Sequence, residues 1–323
     1  AARETPEARM LLANLLLSDG RLDQAATEFR AVLAALDTGD GSRPAGGAAP
    51  LSADAHYGLY LVALYQDDAR SAKAELDQAI AVNPDHGGAL CALAQIDLAL
   101  KNYVRAGERF DRSLAIDPGN VVAMQGKAAV LARTERVREA INLLCDVLQL
   151  EPDNRHALAD RAKLYAEAGL SEASLADFAV LIGKEPDNYL NYLDRGRILL
   201  RAGRNPEALA DFGKVLELQP GATLARAYRG QALWQSGQLD AARSDLEAVL
   251  KVRPGYLPAI EPLALIAWKT AHPADAARHF EALYDVRLKN EQMLVMAIAA
   301  VYREGDKVAL KTIADRLQPK LTQ

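Results

Sequence analysis

Residues 189–222, YLNYLDRGRILLRAGRNPEALADFGKVLELQPGA, and residues 223–256, TLARAYRGQALWQSGQLDAARSDLEAVLKVRPGY, align residue for residue without a gap. Arg195 meets Arg229, Gly196 meets Gly230, Gly203 meets Gly237, Ala208 meets Ala242, Asp211 meets Asp245 and Pro220 meets Pro254. The proline carries this 34-residue period outward through Pro84, Pro118, Pro152 and Pro186, and Pro50 extends it back by one more step. A fixed period of roughly 20 to 50 residues marks a repeat architecture, in which each segment contacts only its neighbours, so length does not set a domain count.

With the proline in the thirty-second place, repeats begin at Ala53, Gly87, Val121, Arg155, Tyr189, Thr223 and Leu257. A degenerate repeat starting at Pro6 precedes them and another starting at Glu291 follows. The eighth place is small in most repeats: Ala13, Ala94, Ala128, Ala162, Gly196, Gly230 and Ala264. The twentieth is small again (Ala25, Ala72, Ala106, Ala140, Ser174, Ala208, Ala242, Ala276), and the twenty-fourth is large, with Phe29, Leu76, Phe110, Leu144, Phe178, Phe212, Leu246 and Phe280. A small residue followed by a large one four positions on lies on one helical face. The pattern predicts two antiparallel helices per repeat, brought close by the small residues, with the large one filling the space between repeats. Gly20, Gly169, Gly203, Gly237 and Gly305 occupy the fifteenth place, where a residue tolerant of positive φ ends the first helix. The proline stops the second helix.

These columns resemble the tetratricopeptide repeat, over about nine repeats and nearly the whole chain. The resemblance implies an all-α, right-handed superhelical solenoid whose first helices line a concave groove that binds other proteins. The expected organisation is an N-terminal repeat over 1–39, a Gly/Ala/Pro-rich mobile loop over 40–52, seven repeats over 53–290, and a degenerate repeat or cap over 291–323. Leu288 stands where the eighth repeat's proline is due, and in the last segment the apolar Met293–Met296, Ile298 and Val301 leave two readings open. Either residues 307–317 cap the array, or a further domain or subunit covers that end.

Arg161, Arg195 and Arg229 fill the seventh place, and Asp177, Asp211 and Asp245 follow them by 16 residues. Three equivalent ion pairs linking the two helices of a repeat are expected, as scaffold charges rather than as a row of anion-binding arginines.

The net charge of -5 and a pI near 5.7 argue against general nucleic-acid or anionic-membrane binding. No apolar run approaches the roughly 18 residues that a membrane span needs, so a soluble chain, cytoplasmic or periplasmic, is expected. Cys91 and Cys145 have neither metal nor redox spacing, the five histidines are scattered, and no phosphate-cradling glycine motif occurs. No enzyme activity, cofactor or metal is therefore expected.

In the resembled family the second, fifth, ninth, twelfth and thirteenth places face the groove. The twelfth ends in Trp234, Trp268 and Tyr302; the thirteenth carries Arg133, Arg201, Lys269 and Arg303; the ninth adds Lys163 and Arg197. This composition predicts a partner protein or peptide with apolar and acidic side chains, held in the C-terminal half of the groove. The aromatic ladder has a second reading, as packing between repeats. The fifth place lacks the Lys and Asn of a carboxylate clamp and only Asn14 and Lys163 partly fit the ninth, while the sixth lacks an asparagine ladder. Two functions remain open: an interaction scaffold, or the recognition arm of a larger enzyme or polysaccharide-secretion pore protein.

Overall fold

The computed structural model describes residues 5–37, 45–270 and 272–286, with residues 295, 296, 298, 299, 302, 311 and 315 beyond them. Among the described residues there are sixteen helices and no strand. The chain forms two compact units, Ala1–Leu164 and Tyr165–Gln323. The first holds α1 (Pro6–Ser18), α2 (Leu22–Asp37), α3 (Ala45–Tyr65), α4 (Ala69–Val82), α5 (Gly87–Ala99), α6 (Tyr103–Ile116), α7 (Val121–Arg133), α8 (Val137–Leu150) and most of α9 (Arg155–Glu167). The second holds α10 (Ser171–Lys184), α11 (Tyr189–Arg201), α12 (Asn205–Leu218), α13 (Thr223–Gln235), α14 (Leu239–Val252), α15 (Leu257–Lys269) and α16 (Pro273–Val286).

Helices pair within repeats: α1 with α2, α3 with α4, α5 with α6 and α7 with α8 in the first unit, and α11 with α12, α13 with α14 and α15 with α16 in the second. The fifteenth place makes the turn in seven of the repeats. Gly20, Gly169, Gly203 and Gly237 have φ between 72° and 77° there, and Asp67, Lys101 and Glu135 adopt the same left-handed region at 57°, 62° and 63°. A side chain in that region costs about 1 kcal/mol against glycine. Lys101→Gly is accordingly expected to raise the melting temperature of the first unit by a few degrees, about 1 kcal/mol in stability. An unchanged or lowered melting temperature contradicts the strain argument. At the far end of each pair the residue before the proline leaves the helix: Asn83, Asp117, Glu151, Glu185, Gln219 and Arg253 have ψ between 68° and 96°. Proline disfavours the helical conformation of the residue before it, which is why each second helix stops at that point.

The twenty-fourth place forms the core of the array. Phe29 and Phe110 are fully buried and rest on Gly58 and Gly126, in the first helix of the following repeat. Phe212 and Leu246, also fully buried, rest on Gly196 and Gly230 in their own repeats. Two alternative shelves therefore receive the large side chain, the sixth place of the next repeat or the eighth place of the same one. Burying each such side chain contributes about 1.5–3 kcal/mol.

Charge links the two helices of a repeat at the twenty-third place. Asp211 accepts from Arg195 Nε and Nη2 at 2.8 and 2.6 Å, and Asp245 from Arg229 Nε and Nη2 at 2.6 and 2.8 Å. Both aspartates are buried, and each holds its arginine's pKa above the ordinary value through these hydrogen bonds. Arg161 donates to Cys145 Sγ at 3.3 Å. Its expected partner, Asp177, lies in the other compact unit, so that pair remains an expectation. Three further links at this place were not anticipated. Arg9 Nη1 meets Glu28 at 2.8 Å, His56 Nδ1 meets Glu75 at 2.7 Å, and Arg109 pairs with the buried Asp97. Their first-helix partners stand at the fourth, fourth and eleventh places instead of the seventh. These positions share one helical face, so changing the side chain at the twenty-third place moves the contact by one turn along the same stripe.

The expected loop over 40–52 needs correction. Residues 45–52 are helical and lengthen α3 to 21 residues, and Pro50 lies inside that helix instead of closing a pair. Ala45, Ala48 and Ala49 favour the helix, and Pro50 so near the start removes only the amide that would reach back to Gly46. Residues 38–44 lie outside the described residues. Pro258 stands in the first turn of α15, but Pro262 is buried in its interior, and α16 begins at Pro273. Most of 287–323, including the expected cap over 307–317 apart from residues 311 and 315, is outside the described residues; Met296 and Ile298 pack against the α15–α16 core.

Candidate functional site

In the second unit α13 packs beside both α11 and α15, so three first helices lie side by side. Their second, ninth and thirteenth places hold side chains that are exposed or half-buried, whereas Leu200, Ala227 and Pro262, at the twelfth, fifth and sixth places, are buried. At the N-terminal ends stand Leu190 (51% exposed), Leu224 (37%) and the exposed Pro258. Leucines this exposed on neighbouring helices make a small apolar row. At the C-terminal ends stand Arg201, Gln235 and Lys269, all exposed. No carboxylate occupies that row, which leaves it cationic.

Between the rows the polar groups are organised by aromatic rings. The Arg197 guanidinium lies over the Tyr228 ring, 5.7 Å from its centre, and donates to Asp194 at 3.1 Å. Tyr228 stacks on Phe212 with ring centres 5.7 Å apart. That contact ties a groove-side tyrosine to the large side chain of the twenty-fourth place and so holds it rigid. Tyr256 enters from the turn before α15, with Arg253 over its ring at 6.0 Å. Burial, then the neighbouring Tyr228 phenol, pushes its pKa up.

Trp234 and Trp268 are half-buried. Trp234 packs against the cluster containing Leu246, Val249, Leu263 and Ile266, and Trp268 against Ile260 and Phe280, meeting the Phe280 ring edge-on at 6.2 Å. Much of each indole is thus committed to packing between and within repeats. Tyr302 is 74% exposed, and Arg303 lies outside the described residues. Arg133 on α7 and Lys163 on α9 are exposed but belong to the first unit. Of the residues expected along one groove, Arg197 and Arg201 lie on α11, Trp234 on α13, and Trp268 and Lys269 on α15. Tyr228, Tyr256, Leu190 and Leu224 join them unanticipated. Tyr228 had a legible signal, a large ring in a sixth-place column that holds Gly58, Ala92 and Gly126 elsewhere.

The first unit carries two groups whose pKa burial raises strongly. Burial pushes the Cys91 thiol up to about 11 and the Tyr57 phenol up to about 12, so both stay protonated near neutral pH. His86 caps α5, its Nδ1 accepting from the Ala89 amide at 3.0 Å while Nε2 bonds Asp54 at 3.0 Å. A histidine held this way at a helix start is structural. Among the described residues no group of three or more His, Cys, Asp or Glu side chains could hold a metal ion, and no helix is long and apolar enough to cross a membrane.

The profile of the tetratricopeptide repeat family matches residues 1–40, 57–121 and 193–256. No curated protein matches the chain at a significant level. Among solved structures, a tetratricopeptide repeat protein from Parabacteroides merdae is 18% identical with a TM-score of 0.57, over 72% of this chain and 92% of that one. PilF of Pseudomonas aeruginosa is 18% identical with a TM-score of 0.55, over 65% and 95%. YrrB, described as having an unusual peptide-binding site, is 19% identical with a TM-score of 0.51, over 58% and 96%. At these identities the likeness is one of fold.

Proposed function

Because the chain belongs to the tetratricopeptide repeat family, whose members are in general protein-interaction scaffolds, we propose that it binds a segment of a partner protein, without catalysis, on the face formed by α11, α13 and α15. The observation that carries this reading is the exposed apolar row Leu190, Leu224 and Pro258, facing a cationic row across the rigid Arg197–Tyr228–Phe212 stack. Apolar anchors and arginine on a preorganised surface are the composition of binding hot spots. The partner presents apolar side chains and carboxylates. A role as recognition arm of a larger protein would use the same face, and the same variants report on it.

Capture of partners by the intact array, compared with capture by Leu224→Glu and by Arg201→Glu, tests the reading. Both sites are exposed, so the variants keep wild-type helicity and melting temperature. Anchor residues typically carry about 2 kcal/mol, roughly 30-fold in affinity. A partner lost by that factor from both variants supports the surface. Partners retained at undiminished affinity by both would exclude it.

A further inference from the structure

The dimensions of this face narrow the shape of its occupant. Leu190 and Arg201 stand eleven residues apart on α11, which separates the apolar and cationic rows by about 16 Å at the helical rise. An α-helix with its side chains is about 10–12 Å across, and its longer side chains reach both rows when it lies crosswise over α11, α13 and α15. A single extended strand has no such breadth and reaches one row at a time.

The spacing along the other direction agrees. Packed neighbouring helices have axes about 8–10 Å apart, so Leu190, Leu224 and Pro258 recur at about that interval. In a partner helix this is about five to seven residues, and every seventh residue returns to the same face. In a β-strand it is about two and a half to three residues, out of step with the two-residue alternation of its side chains. A polyproline helix keeps the interval at three residues per turn but lacks the breadth to engage the second row.

Charge then orients the occupant. Arg197 is already engaged by Asp194, so the positive charge open to a partner is at Arg201 and Lys269, along one edge. We propose that the face receives an amphipathic α-helix with apolar residues at seven-residue spacing set on Leu190, Leu224 and Pro258, and acidic residues along the edge that meets Arg201 and Lys269. This rests on the reading of the α11/α13/α15 face as the binding surface.

A displayed library of random peptides of about 21 residues, three helical heptads, tests it. The library is selected on the wild-type chain and each enriched peptide is titrated against wild type, Leu224→Glu and Lys269→Glu, with variant folding checked by circular dichroism and thermal unfolding. The expected peptides repeat apolar residues every seven positions, carry Asp or Glu on one flank, gain helicity on binding, and bind each variant at least roughly tenfold more weakly. Enriched peptides with two- or three-residue apolar spacing, or rich in proline, that still lose binding to Leu224→Glu overturn the helical occupant and leave the surface standing. Helical peptides indifferent to Lys269→Glu overturn the charge assignment. Peptides that bind both variants as well as wild type, or no enrichment at all, overturn the surface and the helix together.

Discussion

Gly126→Ala is expected to destabilise the first unit by about 1–3 kcal/mol, although alanine is the better helix former by nearly 1 kcal/mol. A Cβ at this position would lie 2.1 Å from Phe110 Cζ and 2.4 Å from Cε1, distances that no side chain tolerates. Phe110 cannot step aside, because it is fully buried and close-packed, so the ring or the α6–α7 spacing must shift. Gly107→Ala is the matched control. It lies in α6 of the same unit, and its added Cβ would meet only Lys127 Nζ and Val130 Cγ1 at 3.6 Å, ordinary contacts. That variant is expected to gain up to about 1 kcal/mol from propensity alone. Phe110→Leu added to Gly126→Ala should recover part of the loss by shortening the side chain on the shelf. Because repeat arrays open locally, hydrogen exchange in α6 and α7 is the appropriate measurement beside the thermal melt. A loss in Gly126→Ala beside a gain in Gly107→Ala supports the shelf; two gains would show that the contact is slack.

Arg195→Leu carries the second large effect, a loss of about 3–5 kcal/mol. The substitution removes both hydrogen bonds from Asp211 and leaves that carboxylate buried at 4% exposure without its countercharge. Replacing both partners, Arg195→Leu with Asp211→Leu, removes the buried charge as well and should return most of the stability. Arg229→Leu should behave alike through Asp245. The opposite outcome, unchanged unfolding together with weakened partner binding, would make these arginines groove contacts.

Much of this fold is legible from the period because a repeat presents each contact several times. The small eighth place, the large twenty-fourth and the glycine of the fifteenth are each forced by geometry that every helix pair shares. What escaped was variation along a permitted stripe. Glu28 and Glu75 find their partners at the fourth place and Arg109 finds its own at the eleventh, one helical turn either way from the seventh-place column. Pro50 kept the period while sitting in a different structural role, since Ala-rich sequence before it could continue as helix. The site was legible in part. Arg197, Arg201 and Lys269 follow from the columns, whereas Trp234 and Trp268 share themselves between face and core because a half-buried indole satisfies both. Tyr228 shows in the sequence only as a large ring in its column, because its setting comes from Phe212 beneath it and Arg197 above it, two residues in other helices.

The central claim is that a partner seats on the first-helix face of the second unit. Hydrogen exchange of the chain with and without a saturating bound partner measures this directly. Added protection is expected in α11, α13 and α15 and in the turn at Tyr256, with α12, α14 and α16 unchanged. Protection concentrated in the second helices, or confined to the first unit, would contradict it.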